Sequence, residues 1–285
     1  MSSEHRPKQA EAAARFRALH DERPLVLANA WDVGSARIIE RAGAQAVATT
    51  SAGVSWSQGR ADGERLTADD SVALARRLTR AVAVPVTVDI ESGYGDEAPA
   101  QVASMVSRLV GVGVAGINLE DSGSEGAPLI ELERHQQRLR AARAAAAASG
   151  SDLFINARID TYLFAVGGVD DRFEETVKRA VAYCEAGADG IFVPGVTDAE
   201  TIAALIAAID APLNIMVGPG TPAIDQLAAL GVARISVGPA IALAALAATE
   251  RAARELLGEG GYEQLRSGLP FGETNSFFAE VEASA

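Results

Sequence analysis

Ala42-Gly43-Ala44-Gln45-Ala46-Val47 closes one apolar stretch on a glycine and opens another at once. The junction returns as Val112-Gly113-Val114-Ala115-Gly116-Ile117, as Ala186-Gly187-Ala188-Asp189-Gly190-Ile191 and as Leu230-Gly231-Val232-Ala233-Arg234-Ile235. Glycine just past a helix is favoured because that cap needs a left-handed backbone. Each junction therefore reads as a helix end followed directly by a strand. Between the junctions lie further short apolar runs: Pro24 to Ala30, Pro85 to Asp89, Leu153 to Arg158 and Pro212 to Val217. Three of these open on proline, which suits the first residue of a strand, where no ladder donor is needed.

Interleaving the two sets predicts eight strands, beginning near residues 24, 45, 85, 115, 153, 189, 212 and 233. Helical patterns separate them. In one, Phe173, Thr176, Val177, Ala180, Val181 and Cys184 fall on a single stripe at helical spacing. Eight alternating units predict parallel pairing and a closed (β/α)8 barrel of the TIM type, with an open doubly wound sheet as the alternative. No linker or composition shift divides the chain, so residues 1–285 read as one barrel domain. Residues 1–22 form a helical extension, with its helix near Lys8 to His20, and 258–285 a C-terminal tail.

Composition narrows the function classes. Of 285 residues 48% are hydrophobic but only 5% aromatic, so the core must be built from Ala, Val, Ile and Leu. A net charge of −13 lacks the basic footprint that nucleic-acid binding needs. The single cysteine, Cys184, rules out a disulfide framework or a Cys-rich metal site; on its apolar stripe it reads as a buried thiol. The polar N-terminus lacks the apolar run of a signal peptide, and no stretch offers the ~20 apolar residues of a membrane span. The expectation is a cytoplasmic protein without membrane partners. Gly111-Val112-Gly113-Val114-Ala115-Gly116 spells a dinucleotide-binding string, but it ends a helix and precedes a strand, the reverse of the order that fingerprint requires.

In such barrels the chemistry gathers at the C-terminal ends of the strands. The third predicted strand ends Val88-Asp89-Ile90-Glu91-Ser92-Gly93-Tyr94-Gly95. Strand alternation puts Asp89 and Glu91 on one side, with Ile90 opposite. Two carboxylates crowded at a barrel mouth call for a cation, and oxygen donors with retained water favour Mg2+ or Mn2+. The fourth strand adds Glu120 and Asp121. On the fifth, Asn156 and Arg158 share a face, where the guanidinium could clamp a substrate carboxylate. Thr49-Thr50-Ser51-Ala52-Gly53 reads as a small-residue turn whose amides and hydroxyls could hold an anionic group.

These segments resemble the isocitrate lyase/phosphoenolpyruvate mutase superfamily. The similarity is carried by Asn29-Ala30-Trp31-Asp32, Thr49 to Gly53, Asp89 to Gly95, Leu119-Glu120-Asp121, Asn156-Ala157-Arg158 and Glu185 to Ile191, and runs from about Phe16 to Ala248. The most specific part is Asp-x-Glu-x-Gly-Tyr-Gly, the family's Asp-x-Asp-x-Gly-Tyr-Gly with one Glu. The resemblance implies a metal held by Asp89, Glu91 and Glu120, partly through water. It implies Ser51, Ala52 and Gly53, beside Thr49 and Asn156, on the substrate's carboxylate and 2-oxo group, Arg158 on a carboxylate, and Asp62 as an acid near the metal. It further implies homotetramers, built as dimers of dimers, that exchange a C-terminal helix, here Ile241 to Leu257.

The chain departs from the family after Leu-Glu-Asp. Where its lyases carry a Lys-Lys/Arg-Cys-Gly-His loop, this sequence reads Ser122-Gly123-Ser124-Glu125-Gly126-Ala127-Pro128. It resembles a short bacterial-type member without the lyase cysteine, and the mutase Lys and Asn are missing too. Ser122, Ser124 and Glu125 are the side chains on that loop able to donate or accept protons, and Glu125 is the best candidate if a proton donor is needed. Val193-Pro194-Gly195 lacks the Glu or His that relatives often place there. The expected activity is Mg2+-dependent C–C cleavage of a small 2-oxo or 2-hydroxy (di)carboxylic acid through an enolate, decarboxylase-, hydrolase- or retro-aldol-like. P–C bond chemistry on phosphonopyruvate and a non-catalytic 2-oxo acid binder are the alternatives.

Overall fold

All four junction glycines adopt the left-handed backbone, with φ +100° at Gly43, +94° at Gly113, +104° at Gly187 and +97° at Gly231. Strands begin three or four residues beyond each. The structure, a computed structural model, describes residues 5–22, 24–95, 98–123, 128–258 and 260–282. Its strands are β1 (Leu25–Leu27), β2 (Asn29–Ala30), β3 (Val47–Thr49), β4 (Val86–Asp89), β5 (Gly116–Glu120), β6 (Phe154–Arg158), β7 (Gly190–Phe192), β8 (Leu213–Met216) and β9 (Arg234–Ser236). Every predicted strand start falls within two residues of an observed one.

All pairings are parallel, in the order β1-β9-β8-β7-β6-β5-β4-β3-β2. β1 and β2 are two parts of one strand position, broken at Ala28. The first pairs with β9, Leu25 opposite Arg234, and the second with β3, Asn29 opposite Ala48. The ring closes through the chain itself and has eight strand positions, so the barrel holds and the open sheet does not.

Alternation along each strand sorts the side chains. Ile117, Leu119, Ile155, Ala157, Ile191, Ile215 and Ile235 point outward, into the core shared with Leu78, Met105, Leu109, Leu139, Leu205 and Leu227 of the surrounding helices. The barrel floor is a separate cluster of Phe16, Leu25, Leu27, Ala46, Ala48, Ala115 and Phe154. Phe16 comes from the helix His5–Ala18, which thus closes the barrel from below. A Cβ on Gly116 would lie 2.6 Å from the Phe16 ring, so only glycine leaves room for this plug. Above the floor sits a polar layer. Asn156 Nδ2 donates to Asn118 Oδ1 (3.0 Å) and Asn214 Oδ1 (3.1 Å), and Arg234 Nη2 donates to Asn118 Oδ1 (3.1 Å).

One expectation needs correction. On the helix Val169–Glu185, Thr176 and Ala180 are buried and Phe173, Val177 and Cys184 half-buried, but Val181 is 48% exposed. Arg179 and Tyr183 take the inner face instead, because Asp121 Oδ2 accepts hydrogen bonds from both, at 3.1 and 2.8 Å. In the C-terminal tail, after the helix Ala240–Gly258, come a 3-10 turn, Glu263–Ser267, and a helix, Phe271–Glu282. Arg37 secures that last helix, donating to Phe277 O at 2.9 Å with its guanidinium 4.2 Å from the Phe277 ring, and Arg41 pairs with Glu273. Among the described residues no helix is long and apolar enough to cross a membrane.

Candidate active site

The inward-facing positions above the polar layer are the last ones on their strands. β4 ends on Asp89, β5 on Glu120 and β6 on Arg158, with Glu120 and Arg158 side by side in register. Arg158 Nη1 pairs with Glu120 Oε2 at 2.5 Å and its Nε with Asp160 Oδ1 at 2.7 Å. Among the described residues two of its three nitrogens are therefore engaged, and Nη2 is left as the donor for a ligand. Asp160 also accepts from the Ser122 hydroxyl, at the start of the loop after β5.

Asp89 and Glu91 do come together, though not by strand alternation. The strand stops at Asp89, and Glu91 lies in a turn with φ +50°. Its amide N–H donates to Asp89 Oδ1 at 2.9 Å, which folds the two acids onto each other. Glu91 Oε2 accepts from the backbone N–H of Glu64, while Oε1 is buried and accepts no hydrogen bond. Glu64 in turn accepts from Ser92 Oγ at 2.5 Å and Tyr94 N at 3.0 Å. This residue, unnoticed in the sequence, clips the loop that carries Asp62 onto the loop that carries Glu91.

Electrostatics mark the cluster. Burial first, then Asp89, Asp62 and Glu64 nearby, push Glu91 up to about 7. Burial raises Glu120 to about 8 although Arg158 opposes it, with Asp89 and Asp160 adding repulsion. Asp89 is raised by burial, against Arg158, with Asp62 and Asp160 contributing. Burial alone would lower the Arg158 guanidinium, but Glu120, Asp160 and Asp89 outweigh it and hold it above its ordinary value. Such a concentration of perturbed groups in a barrel mouth is what functional sites produce.

The remaining predicted residues divide. Asp62 is exposed, near enough to Asp89 and Glu91 to repel their charged forms. Thr49 lies at the end of β3, where its Oγ1 accepts from Asp89 N at 2.8 Å. Ser51, Ala52 and Gly53 form the first turn of the helix Ser51–Ser57, not a free turn. A Cβ on Gly53 would meet Thr50 Cγ2 at 2.7 Å and Trp31 Cβ at 3.0 Å, so that glycine also serves packing. Asn156 is buried one layer below, its amide spent on Asn118 and Asn214, and is not brought to the mouth. Glu125 lies outside the described residues. Asp121 points away from Glu120, outward to Arg179 and Tyr183, and its Oδ1 accepts from Asp160 N at 2.9 Å. Asp160 could have been read from alternation, two residues after Arg158; nothing in the sequence singled out Glu64. Cys184 is half-buried, and burial raises its thiol to about 11, which suits a structural role.

The donor set fits a hard divalent cation. It is all oxygen, carries a surplus of negative charge over the one guanidinium, and includes the orphaned Glu91 Oε1. Among the described residues no three His, Cys, Asp or Glu side chains converge enough to chelate an ion by themselves. Part of the coordination would then fall to water, as Mg2+ prefers.

Residues 16–257 match the phosphoenolpyruvate phosphomutase family. The chain belongs to this family. As a phosphomutase-family chain it is an enzyme, in the superfamily of lyases and mutases of C–C and C–P bonds that Asp89 to Gly95 suggested. It is 40% identical over 269 residues to an uncharacterized protein of Mycobacterium tuberculosis, covering 94% of this chain and 97% of that one. It is 33% identical over 207 residues to oxaloacetate decarboxylase 2 of Pseudomonas fluorescens, covering 70% and 67%. Its fold matches the solved 2,3-dimethylmalate lyase, a member of the PEP mutase/isocitrate lyase superfamily, with TM-score 0.84, 29% identity and 96% of each chain covered.

Proposed function

We propose that this enzyme is an Mg2+-dependent carbon–carbon lyase acting on a small 2-oxo or 2-hydroxy acid, of decarboxylase, hydrolase or retro-aldol type. The observation that carries this reading is the gathering of the buried or half-buried Asp89, Glu91 and Glu120 at the barrel mouth, with Asp62 near enough to repel the first two, beside Arg158 Nη2, which has no partner among the described residues. Asp89, Glu91 and Glu120 would hold the ion, directly or through water. When bound, Mg2+ supplies Lewis-acid polarisation of the substrate's 2-oxo oxygen. The residues do the rest. Thr49, at the end of β3, and Ser51, Ala52 and Gly53 after it would offer donors to the carboxylate and 2-oxo group. Arg158 Nη2 orients a carboxylate, while Asp160 and Glu120 fix the guanidinium plane. Asp62 and Glu125 are the candidate proton carriers.

C–C rather than P–C chemistry is favoured by charge. A transferring phosphoryl group wants several cations, and the loop from Ser122 to Pro128 holds no Lys or Arg. The oxaloacetate decarboxylase relative supports the same choice.

Replacing Asp89 by alanine is the direct test. The expected result is Mg2+ affinity at least about a hundredfold weaker by calorimetry, no turnover across a panel of small 2-oxo acids, and a melting temperature no lower than wild type. Unchanged Mg2+ affinity would overturn the metal assignment.

A further inference from the structure

β3 and β4 run side by side to the mouth, yet their ladder stops one step short. Val47 pairs with Val86 and Ala48 with Thr87, but the next pair, Thr49 with Val88, is missing although both residues are in strands. A regular parallel step would carry the Asp89 N–H to the Thr49 carbonyl. Instead Asp89 N donates to the Thr49 hydroxyl, Oγ1, at 2.8 Å. On its other side β4 keeps its ladder to the end, with Asp89 opposite Asn118. The strands therefore part only on the β3 side of Asp89. A cavity of about 10 Å3 lies there, lined by Thr49, Ser51, Ser71, Val88, Asp89 and Tyr94 among others, with room for one water.

The Thr49 carbonyl, released from the ladder, belongs to a buried residue and needs another donor. Asn29 supplies it, with Nδ2 donating to Thr49 O at 2.8 Å. Asn29 Oδ1 accepts in turn from Val237 N at 3.0 Å and Gly238 N at 3.1 Å, just past β9. N–H groups face one end of this amide and a carbonyl the other, so it fits only one way round. Asn29 stands next to Ala28, where the first strand position breaks. There β1 pairs with β9 and β2 with β3, so the Asn29 side chain spans the seam of the barrel.

We propose that Asn29 and Thr49 are positioning residues for Asp89. Asn29 holds the Thr49 carbonyl out of the ladder, and the Thr49 hydroxyl takes the Asp89 N–H and sets the backbone from which the carboxylate reaches the ion. The inference rests on the metal reading above. A side-chain oxygen in a ladder's place shifts one strand end against its neighbour, as bulges beside active sites do when they re-aim a side chain. The hydroxyl accepts from Asp89 through a lone pair and keeps its own proton, which stays available to a substrate. Asn29 is buried with both ends of its amide committed, and acts on the mouth through Thr49. Without the hydroxyl, the Asp89 N–H would turn to water in the cavity, and the fold would persist with Asp89 loosely held.

Calorimetric Mg2+ titration of the full chain without substrate tests this. Thr49→Val keeps the shape and removes the acceptor. It should weaken Mg2+ binding by at least about tenfold, as loss of a group that orients metal ligands does, with an unchanged circular dichroism spectrum. Thr49→Ser restores the acceptor and should return to within about threefold of wild type. Asn29→Ala, which leaves Thr49 intact, should show a loss similar to that of Thr49→Val. The double variant should lose no more than about threefold beyond the larger single loss, since both changes break one connection. Should Asn29→Ala not fold, Asn29→Asp takes its place. It keeps an acceptor for both amides, loses the donor to Thr49, and adds a negative charge that by itself would tighten Mg2+ binding. Wild-type affinity in Thr49→Val or in the Asn29 variant, Thr49→Ser no better than Thr49→Val, or additive losses in the double variant would overturn this inference alone. A wild-type chain that binds no Mg2+ would remove the metal reading and this inference with it.

Discussion

Glu64 shows how much of the site depends on residues that would not hold the metal. It accepts the left-handed backbone, φ +54°, at a cost of order 1 kcal/mol for a residue with a Cβ. The return is three hydrogen bonds to the Glu91–Tyr94 turn: its N–H to Glu91 and its carboxylate from Ser92 and Tyr94. Residues that orient a metal's ligands typically change affinity by about 10- to 100-fold when removed. Glu64→Ala is therefore expected to weaken Mg2+ binding by about tenfold. Glu64→Gln, whose amide oxygen can still accept from Ser92 and Tyr94, should stay within about threefold of wild type. Calorimetric Mg2+ titration of both variants measures this, and an alanine variant that binds like wild type refutes the role. Asp89, Glu91 and Arg158 were legible because strand ends announce themselves in sequence. Glu64 was not, because its partners are 27 to 30 residues away and its backbone conformation leaves no mark on residue choice.

At the scale of elements, the helix His5–Ala18 was expected, but its task as floor of the barrel was not. Its end carries His20, stacked on Phe154 with ring centres 3.9 Å apart, Nδ1 donating to Phe16 O at 2.8 Å and Nε2 buried without a partner. Burial, with Arg234 and Arg17 adding repulsion, lowers its pKa to about 4. Above pH ~6.5 the ring is neutral folded and unfolded, and the shift has no effect on stability. Between ~6.5 and about 4 the unfolded chain binds a proton that the folded one refuses, so stability falls as pH falls, by a few kcal/mol at most. His20→Phe keeps the stack and removes the titration. Urea unfolding at pH 8 and 4.5 should show wild type losing more stability than the variant over this range; equal losses would exclude His20 as a contributor.

For the whole molecule the telling surface is the helix Ala240–Gly258. Only Ala242 is buried, while Leu243, Leu246, Leu256 and Leu257 stand 49%, 50%, 52% and 85% exposed, and Phe271 follows at 84%. Apolar side chains gathered in this way mark an association surface. We propose that copies of the chain cover it in a tetramer, a symmetric assembly of dimers. Light scattering at micromolar concentration should give about 118 kDa, four times the 29.4 kDa chain mass. A steady 29 kDa would refute assembly, and Leu243→Glu with Leu246→Glu should shift an existing tetramer toward smaller species.

Sequence alone determined the eight alternating β and α units, because their signals are local. A glycine beyond each helix, a proline before a strand and two-residue alternation within strands all act over a few residues, whereas the choice of a closed ring over an open sheet was made by the pairing of β1 with β9. It also determined which strand ends carry charge. Tertiary structure decided how those charges pair: Arg158 bridging Glu120 and Asp160, Asp121 turned outward to Arg179 and Tyr183, and Glu91 folded back onto Asp89. It decided too that Asn156 lies beneath the mouth and that side chains of Asn29 and Thr49 stand in for the last ladder step beside Asp89. These outcomes depend on the register of neighbouring strands and on turns that bring together residues far apart in the chain, and in a closed barrel that register is set by the whole ring at once.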